Sequence, residues 1–84
     1  MISATQARAL VVAKYTRLFA RAYYRIDDEY HQFPELSEAD LREVTLRDDG
    51  WDVRCDPLAG LYVIGRVAKD GSWVDLDRVG VANQ

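Results

Sequence analysis

Apolar side chains recur at helical spacing along the first third of the chain. With successive residues placed about 100° apart, Val11, Val12, Tyr15, Leu18, Phe19, Ala22, Ile26, Tyr30 and Phe33 form one broad stripe. This spacing predicts a long amphipathic helix over Thr5 to Tyr30 with its apolar stripe facing a core. Ser3 is the expected N-cap. Gln6, three residues on, completes a capping box in which each side chain satisfies a backbone N–H left unpaired by the first turn. Pro34 forbids helical continuation through its own position and biases Phe33 away from helical angles, so the end is expected between Tyr24 and Gln32.

Beyond Pro34 the pattern changes. Ser37 to Leu41 reads as the start of a short second helix, with Ser37 as cap and acids in the first turn. If it continues, Leu41 and Val44 face inward. If it stops near Arg42, Val44 and Leu46 alternate with Thr45 and Arg47 as a strand. Val44 to Arg47, Asp48-Asp49-Gly50 and Trp51 to Asp56 then have the form of a β-hairpin with an Asp-Gly turn, and Trp51, Val53 and Cys55 alternate with Asp52, Arg54 and Asp56. Pro57 to Gly60 reads as a turn.

Leu61 to Ala68 is the most hydrophobic segment and is expected to be a central strand, with Tyr62 and Ile64 facing away from Leu61, Val63 and Val67. Gly65 inside it signals a bulge or a close approach by the helix. Asp70-Gly71 is a second tight turn, Ser72 to Leu76 a returning strand, and residues 79–84 a loose tail. The expected fold is α+β, a single domain in which a long N-terminal helix packs on a three- or four-stranded antiparallel β-meander, with a short second helix or turn between. One helix covers one face of such a sheet. The Tyr62 and Ile64 side, with one tryptophan, is left for the second helix, a copy of the chain or a partner.

Half of the 84 residues are hydrophobic and nine are aromatic, which argues for a folded chain despite its charge content. The single cysteine, Cys55, has no internal disulfide partner, and its expected place is the core. The N-terminus lacks the features of a secretion signal and no apolar run is long enough to span a bilayer, so the expected location is cytoplasmic. The net charge of −3 conceals a strong asymmetry. Residues 1–26 carry five cations and no acid, residues 27–56 carry eleven acids against three cations, and the remainder balances at three each.

Catalysis is not expected. The only histidine, His31, lies in an acid-rich stretch. Asp27, His31 and Glu35 fall short of the well-placed ligand sets that zinc sites use. Paired carboxylates such as Asp27 with Asp28 carry no sign of the burial that would separate their pKa values. No glycine-rich phosphate loop is present, and no metal, cofactor or small-molecule substrate is implied.

Two charged surfaces remain. Lys14, Arg17, Arg21 and Arg25 run down the helix edge opposite the core, with Tyr24 beside them, a composition suited to a protein interface. Asp27, Asp28, Asp48, Asp49 and Asp52 form an acidic set that could imitate a phosphate backbone. Binding to a protein complex is the leading expectation. A homodimeric DNA-binding regulator using the basic helix edge is the alternative, and a structural or assembly subunit of a larger complex is the third reading.

The run Lys69-Asp70-Gly71-Ser72-Trp73-Val74-Asp75 resembles the closing hairpin of one of the small type I anti-CRISPR proteins of phages, with its lysine, Asp-Gly turn and Trp-Val-Asp, although the turn here is one residue shorter. The resemblance covers about seven residues and implies a catalytically inert inhibitor that binds a surveillance complex and blocks its engagement of DNA.

Overall fold

The structure is a computed structural model and describes residues 1–37, 40–58 and 61–81. Among the described residues the single α-helix, α1, spans Ala4–Phe19. The capping box forms as the sequence predicts. Ser3 N–H donates to Gln6 Oε1 at 2.8 Å, and Gln6 N–H donates to Ser3 Oγ at 3.1 Å.

The helix stops well short of the predicted end. Ala20 caps it, donating its N–H to the Thr16 carbonyl, and Ala22 N–H donates to the Phe19 carbonyl. The chain then forms a hairpin of β1 (Tyr23–Ile26) and β2 (Glu29–Gln32), with Tyr24 opposite His31 and Arg25 opposite Tyr30. Asp27 and Asp28 join the strands at φ 51° and 65°. Two consecutive positive values are what a two-residue turn matching strand twist requires, and Asp tolerates them better than most residues. The misreading has a definite cause. A spacing of four residues, as in Ala22, Ile26 and Tyr30, returns to the same face of a helix and also to the same face of a strand. Tyr30, a predicted core residue, is consequently outside at 72% exposed; Leu18, within α1, is also 51% exposed.

The second sheet is a four-stranded antiparallel meander, β3 (Leu41–Leu46), β4 (Gly50–Leu58), β5 (Leu61–Ala68) and β6 (Val74–Val81), in that order. Leu41 to Leu46 is therefore strand. Of the segment before it, Ser37 and Asp40 make a turn. Ser37 N–H and Oγ both donate to Asp40 Oδ2, and Asp40 N–H donates to the Ser37 carbonyl, while residues 38–39 of the expected second helix lie outside the described residues. β4 continues through Pro57 to Leu58, where a turn was expected to begin, with a register shift between Cys55 and Leu58 that accommodates the missing proline donor. β6 starts at Val74 rather than Ser72 and runs to Val81, pairing Val79 with Val63 and Val81 with Leu61, where the loose tail was expected; residues 82–84 lie outside the described residues.

The α+β architecture follows from burial on one sheet face. Ala7, Val11 and Tyr15 of α1 pack with Leu36, Leu41, Val53, Cys55, Val63 and Val67 to form the core. Val53, Cys55 and Val63 alternate with polar or half-exposed neighbours, the period-two pattern of strands with one covered face. At the helix C-terminus, Tyr15, Phe19 and Phe33 form an aromatic cluster, with Phe19 and Phe33 ring centroids 4.6 Å apart. The opposite sheet face carries Asp52, Arg54, Tyr62, Ile64 and Arg66. No helix is long and apolar enough to cross a membrane among the described residues.

Candidate protein-docking surface

The helix lies along the β6 side of the sheet, and this brings the basic edge of α1 to the closing hairpin. A groove of about 240 Å³ runs between them, lined by Leu10, Ala13, Lys14 and Arg17 from the helix and by Gly71, Ser72, Trp73 and Val74 from the hairpin. Leu10 and Val74 are the inner wall and pack on the core. Trp73 is 45% exposed.

The hairpin is held firmly. Gly71 N–H donates to the Ala68 carbonyl at 2.9 Å, and Ala68 N–H to the Trp73 carbonyl at 3.0 Å. Gly71 adopts φ 77°, a left-handed conformation that glycine takes without a Cβ penalty. Ser72 N–H donates to Asp70 Oδ1 at 2.9 Å, and hydrogen bonds from Ser72 hold the Asp70 carboxyl below its usual range. The N-terminus is tied to the same turn, since Ile2 N–H donates to the Lys69 carbonyl at 2.7 Å.

The predicted basic residues divide. Lys14 and Arg17 border the groove, and neither forms an ion pair among the described residues. Arg21 lies beyond the helix end. Arg25 is in β1 and is paired with Asp28. A continuous four-cation helix ridge is thus corrected to a two-cation edge, because the helix ends before the other two. Tyr24 is also displaced from that edge. It stacks on His31 across the hairpin at 5.5 Å and meets Phe33 edge-on at 5.0 Å.

The acidic residues fall in two places and are largely committed to internal pairs. Asp27 and Asp28 form the β1–β2 turn. Asp48 and Asp49 form the β3–β4 turn, with Asp52 nearby in β4. Asp52 accepts from Arg47 Nε at 2.9 Å and from Arg66 Nε at 3.2 Å, while Arg66 Nη2 reaches both oxygens of Asp49. These groups, with Leu46, Asp48 and Ile64, line a broad depression of about 630 Å³ on the uncovered sheet face. Arg47 and Arg66 pair with Asp49 and Asp52 across it.

His31 is on exposed β2, 3.8 Å from Glu29. Among the described residues no group of three or more His, Cys, Asp or Glu side chains could hold a metal ion. Cys55 is fully buried, and burial, helped by Asp56 and Asp40, pushes its thiol up to about 12. Burial likewise raises Tyr15 to about 12, with smaller contributions from Tyr24, Cys55 and Asp40; its hydroxyl donates to the Pro34 carbonyl at 2.7 Å.

Trp73 is the member of this surface that sequence reasoning did not select. Its position two residues after Asp-Gly marks it as a hairpin residue, but its proximity to Lys14 and Arg17 depends on which sheet edge the helix follows. Comparison with protein families, with curated proteins and with solved structures yields no match.

Proposed function

We propose that this chain is a non-catalytic module that binds another protein through the groove between α1 and the β5–β6 hairpin. The observation that carries the reading is the juxtaposition of unpaired Lys14 and Arg17 with half-exposed Trp73. Tryptophan and arginine at the centre of a small concavity are the residues that most often dominate protein interfaces, because the ring buries a large area and the guanidinium directs carboxylates. The acids of the β3–β4 turn are weaker candidates, since Asp49 and Asp52 are already occupied by Arg47 and Arg66.

In its specific form the proposal is a small phage or mobile-element inhibitor, anti-CRISPR-like, that acts in the cytoplasm on a host defence complex. Its support is the resemblance of Lys69 to Asp75, the same hairpin that supplies Trp73. The DNA-binding alternative loses the long cationic helix face on which it was built, because Arg21 and Arg25 are not on α1.

Capture with the tagged protein, run with and without nuclease, tests the class. The proposal expects a defined protein complex that survives nuclease. Recovery of nucleic acid alone, lost on digestion or in high salt, contradicts it.

A further inference from the structure

The β1–β2 hairpin is an arm rather than a part of the core. Every residue of β2 is exposed, Tyr23 is 62% and Tyr30 72% exposed, and the molecule is elongated at 43 × 25 × 20 Å. The arm is anchored at its base, where Phe33 N–H donates to the Ala22 carbonyl, Gln32 Nε2 to the Ala20 carbonyl, and Tyr24 rests on Phe33. An isolated two-stranded hairpin is marginal in water, so this arm gains most from a surface on which its tip can rest.

The chemistry of the tip matches the groove. Asp27, Asp28 and Glu29 with Arg25 give the arm a formal charge of −2, and Tyr30 stands beside them. The groove presents Lys14 and Arg17, a charge of +2, beside the apolar Leu10, Val74 and the Trp73 ring. One surface offers carboxylates and an aromatic anchor, and the other offers cations and an aromatic wall. The arm begins at Tyr23, past the C-terminus of α1, and none of its residues lines the groove of its own chain.

We propose that two copies of this chain exchange arms, each placing Asp27 to Tyr30 in the Lys14–Arg17–Trp73 groove of the other. The contact is isologous, so two copies close on each other and both grooves are filled at once. The inference rests on the groove being a docking surface. It adds that the resting occupant is a second copy, which the target protein displaces.

Charge exchange tests it. The groove variant K14E/R17E reverses the cations on a helix surface. The arm variant D27N/D28N/E29K turns the arm from −2 to +2 and keeps asparagine, a residue that tolerates positive φ, at both turn positions. Molar mass is measured by sedimentation at low and high salt, with circular dichroism confirming that each variant is folded. The wild type is expected at twice the 9.6 kDa chain mass in low salt, and to shift toward the monomer in high salt, where exposed charges are screened. Each variant alone is expected to be monomeric, and the five-substitution combination to regain the dimer. A wild type that is monomeric at every concentration overturns the arm exchange, as does a dimer that survives in either variant alone or a combination that stays monomeric. Capture of a target that depends on Lys14 and Arg17 by a monomeric wild type overturns the exchange and leaves the proposed function standing.

Discussion

Two methyl carbons of Val11 lie 2.7 and 2.8 Å from the point that a Cβ on Gly65 would occupy. The helix therefore seats on the sheet at the one β5 position that has no side chain, between Val63 and Val67. The strand pairing also shifts register between Ile64 and Gly65, so the glycine serves both the bulge and the close approach. Val11 cannot swing aside, because a β-branched residue in a helix is confined to essentially one rotamer.

Gly65→Ala is expected to destabilise the fold by about 2 kcal/mol through overpacking. Val11→Ala is expected to cost a similar amount, about 2 kcal/mol, through lost burial and the cavity it leaves. The double variant is expected to be more stable than the sum of the two costs implies, since each substitution relieves the other. Urea unfolding of all four proteins reads the coupling, and strict additivity would contradict the contact.

Tyr15→Phe removes the hydroxyl that donates to the Pro34 carbonyl and is expected to cost about 1 kcal/mol at neutral pH. The folded-state pKa of Tyr15 is raised from 10.0 to about 12. A raised pKa means that the unfolded chain loses its proton first, so the associated stability is fully present below pH 10 and disappears as pH rises toward 12. The gap between wild type and Tyr15→Phe should narrow across that window in unfolding curves taken at stepped pH.

Cys55 has the same sign. Its thiol, raised from 9.0 to about 12, should resist alkylation in the native protein at mildly alkaline pH and react at once after unfolding in urea. Cys55→Ser is expected to cost more than Cys55→Ala, a penalty of about 1–3 kcal/mol, because it buries a hydroxyl whose nearest acceptor, the Val53 carbonyl, is 4.0 Å from the thiol sulfur and out of reach of the shorter side chain. Equal stabilities for the two variants would contradict the site's apolar character.

The arm turn is strained at two non-glycine residues. D27N/D28G supplies the pair most favoured for consecutive positive φ values and is expected to stabilise the arm by about 1 kcal/mol, which outweighs the few tenths lost with the exposed Arg25–Asp28 pair. Measured in the K14E/R17E background, where the arm is undocked, hydrogen exchange at the amides of Tyr23 to Gln32 should slow several-fold on adding D27N/D28G, while exchange in the four-stranded sheet stays unchanged.

The antiparallel meander was legible as three or four strands because β4 alternates, β5 is largely apolar and the β3–β4 and β5–β6 connections have Asp-Gly signals, whereas Leu41 to Leu46 fitted helix and strand alike. The helix start was legible in Ser3 and Gln6. Its end was not, since Ala22, Ile26 and Tyr30 repeat at a spacing that helix and strand share, and the Asp27-Asp28 turn lacks the glycine that would have marked a hairpin. The proposed docking surface was half legible. Lys14 and Arg17 stand out as cations on a helix edge, but Trp73 joins them only through the placement of α1 along β6. The removal of Asp49 and Asp52 from the free acids likewise depends on a β4–β5 register that sets Asp52 opposite Arg66.

The most direct measurement compares nuclease-resistant protein capture by three folded forms of the tagged chain. One is the wild type, one carries K14E/R17E, and one carries D48N/D49N/D52N. Capture is expected to fall at least tenfold with the groove variant and to persist with the acid-neutralised variant. Capture that is indifferent to Lys14 and Arg17 but lost with the three aspartates would contradict the assignment of the groove and move the docking surface to the uncovered face of the sheet.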